Sequence, residues 1–296
     1  MPVLHVAAAQ YPIDDLADIA AFEMKLSRWV AEAVGEGAEL LVFPEYGTME
    51  LASIARDKGS GPAAVMAAIQ PFLREGDALH SVLARRHHVH ILAASAPVRQ
   101  TDGRFVNTAR FFSPTGAAVQ EKLIMTPQER EILGVSPGRG LRVFETTFGT
   151  VGVAICYDAE FPIIPRALAA AGAQVLLVPA CCDTLAGYHR IRTAAAARAL
   201  ENQCFTVVAP ALGRTPWSSG STNVGAAGMF APPDRGFPPD GVIANGDLNR
   251  ARWLHAQLDL DLVAEVRSRG EVLNFKHWDE QPGLVNVAPA EVVKLH

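Results

Sequence analysis

Short apolar runs that alternate with helical segments, and outnumber them, most constrain what this chain can fold into. VLHVAAAQ, VHILAASAPV, QVLLVPACC and CFTVVAPAL are nearly continuous in apolar residues, the pattern of strands covered on both faces. Between them lie segments with apolar residues at helical spacing: LADIAAFEMKLSRWVAEAVGEG, closed by glycine, then DALHSVLARRHHV, IIPRALAAAGA and the alanine-rich TAAAARALENQ. RFVNTARFFSPTGAAVQEKL reads as a hairpin turned at Ser113-Pro114-Thr115-Gly116, and LRVFETTFGTVGVAICYD as two strands around Gly149. ELLVFPE and WLHAQLDL add two more. So many strands exceed what a simple doubly wound sheet uses. The fold class expected is α/β, a four-layer α-β-β-α sandwich with two sheets face to face and helices outside. A Pro-, Gly- and Ser-rich loop from about residue 214 to 240 lies inside the pattern and does not divide it. One domain over residues 1–296 is therefore expected, with a tail from about 263 to 296.

Composition excludes several classes. Apolar residues make up 49% of the chain and charged ones 19%, which suits a large packed core. A net charge of -5 provides no basic footprint for nucleic acid, and the scattered Lys and Arg form no membrane-binding patch. The longest apolar stretch, ALAAAGAQVLLVPACC, is interrupted by Gly172, Gln174 and Pro179 and falls short of the roughly 20 residues that span a bilayer. The N-terminal residues have no signal-peptide pattern, so a cytoplasmic location is expected. The four cysteines, Cys156, Cys181, Cys182 and Cys204, contain no CxxC spacing and are read as free thiols. His88 and His90 would share one face of a strand. No carboxylate or thiol at matching spacing joins them, so no metal site is expected.

Three strand ends carry chemistry: LLVFP leads to Glu45, AAVQE to Lys122 and VGVAI to Cys156. In helix-covered sheets, sites form beyond the carboxyl ends of strands. If the three strands are neighbours, a carboxylate, an ammonium and a thiol converge at one edge. Such a trio can hydrolyse an amide without metal or organic cofactor. Glu45, desolvated, serves as general base; Lys122 favours the thiolate and a developing oxyanion; Cys156 attacks the carbonyl. Each residue taken separately has an ordinary reading too: an inert buried thiol, a polar cap where the chain leaves a sheet, a surface charge.

With these residues in place, the chain resembles the nitrilase superfamily of carbon–nitrogen hydrolases, from about residue 6 to 262. LLVFPEYG, QEKLIMTPQERE and GVAICYDAEFP carry the resemblance, in this order. It implies a Glu45-Lys122-Cys156 triad and the same sandwich. It implies a further glutamate after the lysine, matched best by Glu129 with Glu131 competing, and an oxyanion hole formed by Lys122 and the Tyr157 backbone N–H. Arg198, Glu201 and Asn202 would have structural roles. A homodimer is implied, with the alanine-rich helices PRALAAAGA and RTAAAARAL at the interface or simply packed on their own sheet, and the tail near it. Nitrile-hydrolysing members commonly follow the cysteine with Trp-Glu, whereas this chain has Tyr157-Asp158, the pattern of amidase-like branches. The full set of motifs resembles a subgroup without an assigned substrate, some members of which are fused to an acetyltransferase. No such domain is expected within 296 residues. The substrate implied is a small amide, an ω-amide or a carbamoyl compound; a nitrile, or a scaffold without turnover, is the competing reading.

Tyr46, Cys181, His189 and Trp217 are candidates for the pocket wall, and Phe230 and Phe237 of the long loop for its cover. Cys182 is expected to be small and buried, and Cys204 to be core. Arg110, Arg190 and Arg192 are candidates for holding a substrate carboxylate, or structural partners of carboxylates.

Overall fold

The near-continuous apolar strands are buried on both faces, as their composition requires. In the computed structural model, residues 3–55, 59, 61–214 and 222–281 are described. The first sheet contains β1 (Leu4–Pro12), β2 (Leu40–Val42), β3 (His90–Leu92), β4 (Ala96–Arg99), β5 (Phe105–Phe112), β6 (Ala117–Glu121) and β7 (Val135–Ser136). The second is built from β8 (Val143–Glu145), β9 (Thr150–Val153), β10 (Val175–Ala180), β11 (Phe205–Arg214), β12 (Thr222–Asn223), β13 (Gly228–Phe230) and β14 (Val242–Asn245). The last strand, β15 (Arg252–Leu258), returns to the first sheet and runs antiparallel to β1. Parallel pairing of Tyr11 with Ala211 and Pro12 with Leu212 joins the sheets at the carboxyl ends of β1 and β11.

Period-two alternation sorts β1 between two cores. Ala7, Ala9 and Tyr11 pack with Phe22, Leu26 and Trp29 of α1 (Ile19–Gly35) and Ile69 and Leu83 of α2 (Pro62–His87). Leu4, Val6 and Ala8 join Val151, Val153 and Leu177 of the second sheet. A slip of one residue would exchange these faces, and since both are apolar it is the fit of side-chain sizes on each side that sets the register. On the far side, α3 (Ile163–Ala170) packs on β9 and β10, and α4 (Leu185–Asn202) on β11 and β13. The layers run helix, sheet, sheet, helix. Ala195 and Ala199 of α4 face the second sheet, while Ile163, Leu185 and Leu200 remain exposed.

Three local readings change. The second helix begins at Pro62, well before the segment read as helical, and runs through Pro71. Val65, Met66, Ile69 and Leu73 bury against the core, and that burial outweighs the hydrogen bond Pro71 cannot make. His88 is not a strand residue: it caps this helix at φ 55°, exposed, whereas His90 is buried on β3 against Phe148 and Phe111. The two do not share a face, and no cluster of three metal-ligating side chains occurs among the described residues. The stretch read as a loop from 214 to 240 holds β12 and β13, with Phe230 in the core and Phe237 edge-on to Phe205 at 5.5 Å. Neither ring covers the strand ends where Glu45, Lys122 and Cys156 sit.

The tail starts as α5 (Asp261–Arg269), whose Val263 and Val266 are buried. Beyond it, Gln203 holds the backbone at Val266, Val272 and Phe275, and Arg166 of α3 lies over the rings of Phe275 and Trp278. Residues 282–296 lie outside the described residues. No helix among the described residues is long and apolar enough to cross a membrane.

Candidate active site

Glu45, Lys122 and Cys156 do converge, but their strands are not neighbours. Within the first sheet β2 and β6 are separated by β3 and β5, and β9 belongs to the second sheet. What unites them is direction. The pairings from β3 through β2, β1, β11 and β10 to β9 are all parallel. β6, antiparallel to β5, which is antiparallel to β3, ends at the same edge. Each residue follows its strand at a point where the backbone leaves the ladder. Phe43 N still donates to Leu92 O at 2.9 Å, Ser95 N holds the Pro44 carbonyl at 3.0 Å, and Tyr46 then turns into the left-handed region at φ 55°. Lys122 N donates to Asn107 O, and its carbonyl accepts from Gly138 N, both at 2.8 Å. Gly138 is required there: a Cβ would stand 2.2 Å from Glu121 Cβ and 3.0 Å from the Lys122 carbonyl. Cys156 itself has φ 47° and opens the 3-10 turn Cys156–Glu160. A β-carbon-bearing residue held in that region stores backbone strain, which surrounding packing must sustain.

The side chains form one buried chain of contacts. Lys122 Nζ donates to Glu45 Oε1 at 2.7 Å and to both oxygens of Glu129 at 2.8 and 2.7 Å. Glu129, not Glu131, is the lysine's second carboxylate; Glu131 is exposed. Glu129 also accepts from Tyr46 OH at 2.7 Å and from Thr126 N and Oγ1 at 2.8 and 2.9 Å. Asn107 Nδ2 donates to Glu45 Oε1 at 2.9 Å. That oxygen is thus doubly engaged, and Cys156 lies beside the same carboxylate.

Burial pulls these groups apart in basicity. Desolvation raises Glu45 to about 7, against the pull of Lys122 and with a push from Glu129. Burial also raises Glu129, but Lys122, Tyr46 and Thr126 together bring it below the usual carboxylate range. Lys122 is disfavoured by desolvation, yet Glu45, Glu129 and Cys156 raise it above its ordinary value, so it stays an ammonium. Cys156 is pushed well up by its hydrogen bond with Cys182, by burial and by Glu45, with Lys122 opposing. The resting pair is therefore a neutral thiol beside a carboxylate poised near neutrality, an arrangement suited to proton transfer as the sulfur attacks.

Sequence reasoning did not single out several supporting residues. Asp158, buried, accepts from Leu123 N and Ile124 N, at 3.1 Å and 2.8 Å from the nearer oxygens. It ties the cysteine turn to the backbone just after Lys122; burial raises its carboxyl to about 6. Its signal was a carboxylate two residues after the cysteine that ends an apolar run. Asn107 and Thr126 carried weaker signals, a polar residue inside a buried strand and a hydroxyl three residues before Glu129.

The other candidates separate by position. Tyr46 is in the site through Glu129. Tyr157 follows the nucleophilic position and packs edge-on to Phe161 at 4.9 Å. Cys181 offers its carbonyl 4.0 Å from Cys156 Sγ, and its own thiol donates to Asn223 Oδ1 at 3.3 Å. Cys182 partners Cys156, so it is not merely a small core residue, while Cys204 is core. His189 lies exposed on α4 with its ring on Tyr188 at 4.8 Å. Trp217 lies outside the described residues. Arg198 bonds the Ala159 carbonyl and so braces α4 against the cysteine turn, while Glu201 and Asn202 bond Arg198 within the helix.

The carbon–nitrogen hydrolase family model matches residues 5–267. The chain belongs to the carbon–nitrogen hydrolase family. Hydrolysis of a carbon–nitrogen bond is accordingly its reaction class. The probable hydrolase YhcX of Bacillus subtilis is 30% identical over 275 residues, 92% of this chain, and the chain spans 53% of that relative's length. The omega-amidase NIT2 of Danio rerio is 28% identical over 81% of this chain and 83% of its own. A carbon–nitrogen hydrolase from Helicobacter pylori superposes with a TM-score of 0.73 at 18% identity, over 90% of this chain and 92% of that one, which shows the shared sandwich.

Proposed function

We propose that this chain hydrolyses a small, non-peptide amide through a thioester on Cys156. The observation that carries the reading is Cys156 at φ 47° beside a buried carboxylate, raised to about 7, that is held by Lys122 and Asn107. Glu45 takes the thiol proton as sulfur attacks the amide carbon. The oxygen becomes an oxyanion facing the Lys122 ammonium and the Tyr157 N–H. Glu45 then hands the proton to the leaving nitrogen, the C–N bond breaks, and ammonia or an amine departs. Water, deprotonated by Glu45, attacks the thioester; the acid leaves and the sulfur regains the proton. Glu129 keeps Lys122 charged and fixed throughout. No step requires a metal or an organic cofactor.

The relatives named for a substrate are amidases, including the omega-amidase, and they favour an amide over a nitrile. ω-Amides and carbamoyl compounds fall within the proposed class. A single domain acting as a homodimer in the cytoplasm goes with this reading. Four free thiols suit a reducing compartment, and the exposed Ile163, Leu185 and Leu200 of α3 and α4, beside the strapped tail, offer an apolar surface for a second copy.

The test is intact-protein mass spectrometry after brief exposure to amides, carbamoyl compounds and nitriles. An acyl mass on Cys156 that is lost in Cys156→Ala, with ammonia released, is the expected result. Turnover that survives in Cys156→Ala would sink the thioester mechanism.

A further inference from the structure

The three arginines that suit a substrate carboxylate by residue type are committed elsewhere. Arg110 is buried against Asp77 at 2.5 Å, Arg190 stands exposed beside Glu160, and Arg192 bonds Asn245 and lies over the Phe230 ring. Among the described residues, Lys122 is a cation that acts on Glu45, Cys156 and Cys181 alike, and two carboxylates already share it. A carboxylate on the acyl chain would enter a site that already holds Glu45 and Glu129.

Among the described residues, a buried donor beside Cys181 is left without a partner, as is the acceptor Asn107 Oδ1 beside Glu45. Asn223, the second residue of β12, is 4% exposed. Its Oδ1 accepts the Cys181 thiol at 3.3 Å, and Nδ2, the other end of the amide, is buried with no hydrogen-bond partner. Val224 N bonds the Cys182 carbonyl at 2.8 Å, so residues 223–224 run beside 181–182. The Cys181 carbonyl in turn lies 4.0 Å from Cys156 Sγ. An unmatched donor buried against Cys181, whose carbonyl faces the nucleophile, is relieved when a ligand brings an acceptor.

We infer that Asn223 Nδ2 is a specificity-determining donor for a neutral acceptor oxygen on the acyl chain, so that the substrate is an amide bearing a second carbonyl rather than a carboxylate or a plain alkyl chain. This rests on the Cys156 thioester reading and narrows it. Within the ω-amides and related compounds, it selects uncharged ones. A site built around a hydrogen bond discriminates strongly against analogues that lack the partner, because the donor then stays unpaired.

The experiment compares kcat/KM for succinamide, succinamate and pentanamide in the wild type, Asn223→Leu and Asn223→Ser, with the acyl-enzyme followed by mass. The wild type is expected to prefer succinamide over pentanamide by about 10-fold or more, and over succinamate. Asn223→Leu brings the succinamide-to-pentanamide ratio towards one, and Asn223→Ser, which keeps a donor, retains part of it. The ratio is internal to each variant, so a partly folded preparation still reports it. Acylation of Cys156 with an unchanged ratio in both variants overturns the role of Asn223 alone. A wild-type preference for succinamate overturns the neutral acceptor. Absence of any Cys156 adduct removes the thioester reading, and this inference with it.

Discussion

Two buried clusters in this protein have nearly the same parts and do different things. In one, Lys122 Nζ sits between Glu45 and Glu129, and Tyr46 OH donates to Glu129. In the other, Lys25 Nζ donates to Glu50 Oε2 at 2.6 Å, lies 2.8 Å from Asp14, and Tyr11 OH donates to Glu50 Oε1 at 2.6 Å. Desolvation raises Glu50 as it does Glu45. The difference lies in what is left over. Glu50 has Tyr11 on one oxygen and Lys25 with Asp14 N on the other, so both its oxygens are engaged. Glu45 has its two strong donors on one oxygen, which leaves the other uncommitted beside the Cys156 thiol. Lys25 also bonds the Pro12 carbonyl and lies 4.2 Å over the Tyr11 ring, binding α1 to the sheet. A buried lysine with two carboxylates is therefore not itself a catalytic signature. An incompletely committed carboxylate beside a nucleophile on a strained turn is.

The comparison is open to breakage, most severely at the nucleophile. Cys156→Ala is expected to lower kcat by a factor on the order of 10⁴ or more, with folding retained by circular dichroism. Glu45→Gln keeps the shape and removes the base; a loss of roughly 10²–10⁴ in kcat is expected. Glu50→Gln is its counterpart in the other cluster and should leave kcat within about threefold. Breaking that buried pair should instead cost about 3–5 kcal/mol in denaturant unfolding. Equal damage to kcat from both substitutions would erase the distinction between the clusters.

The pH dependence sharpens it further. Because Glu45 must accept the thiol proton, kcat/KM should rise with pH through a limb centred near 7, and Glu45→Gln should abolish that limb. The same shift acts on stability with the opposite sense. A carboxyl raised to about 7 binds more protons folded than unfolded, so its contribution declines as pH rises from its unfolded value through 7. Stability of the wild type relative to Glu45→Gln, measured across that window, tests the sign. The smallest effect is expected for Tyr46→Phe, which removes one bond to Glu129 while Lys122 and Thr126 still hold it; about 10-fold or less in kcat is expected, with no change in the limb.

Much of this was legible in the residues. The continuous apolar strands dictate burial on two faces, and burial on two faces dictates layers. The three chemically able residues at strand ends were visible because a carboxylate, an ammonium and a thiol directly after apolar runs are costly to bury without partners. Glu129 was favoured over Glu131 by resemblance to the family, and only the turn that follows Thr126 brings it to Lys122. Where the reading failed, local signals lost to packing. The second helix reaches back through Pro71 to Pro62 because Val65, Met66, Ile69 and Leu73 bury, and His88 is not a strand residue because the preceding helix needs a left-handed cap. Phe230 is core, not cover, because β13 lies inside the segment read as loop.

The sequence by itself determined the layer architecture and the identity of the reactive groups, since these follow from side-chain period and chemistry at single positions. Only the tertiary structure decided that β2, β6 and β9, strands of two sheets, end at one edge. It alone decided which carboxylates share Lys122, and that Asp158 ties the cysteine turn to the backbone after it. Those outcomes depend on distances between residues far apart in the chain. Such distances are set by how the two sheets join at Tyr11 and Ala211, which no local pattern encodes.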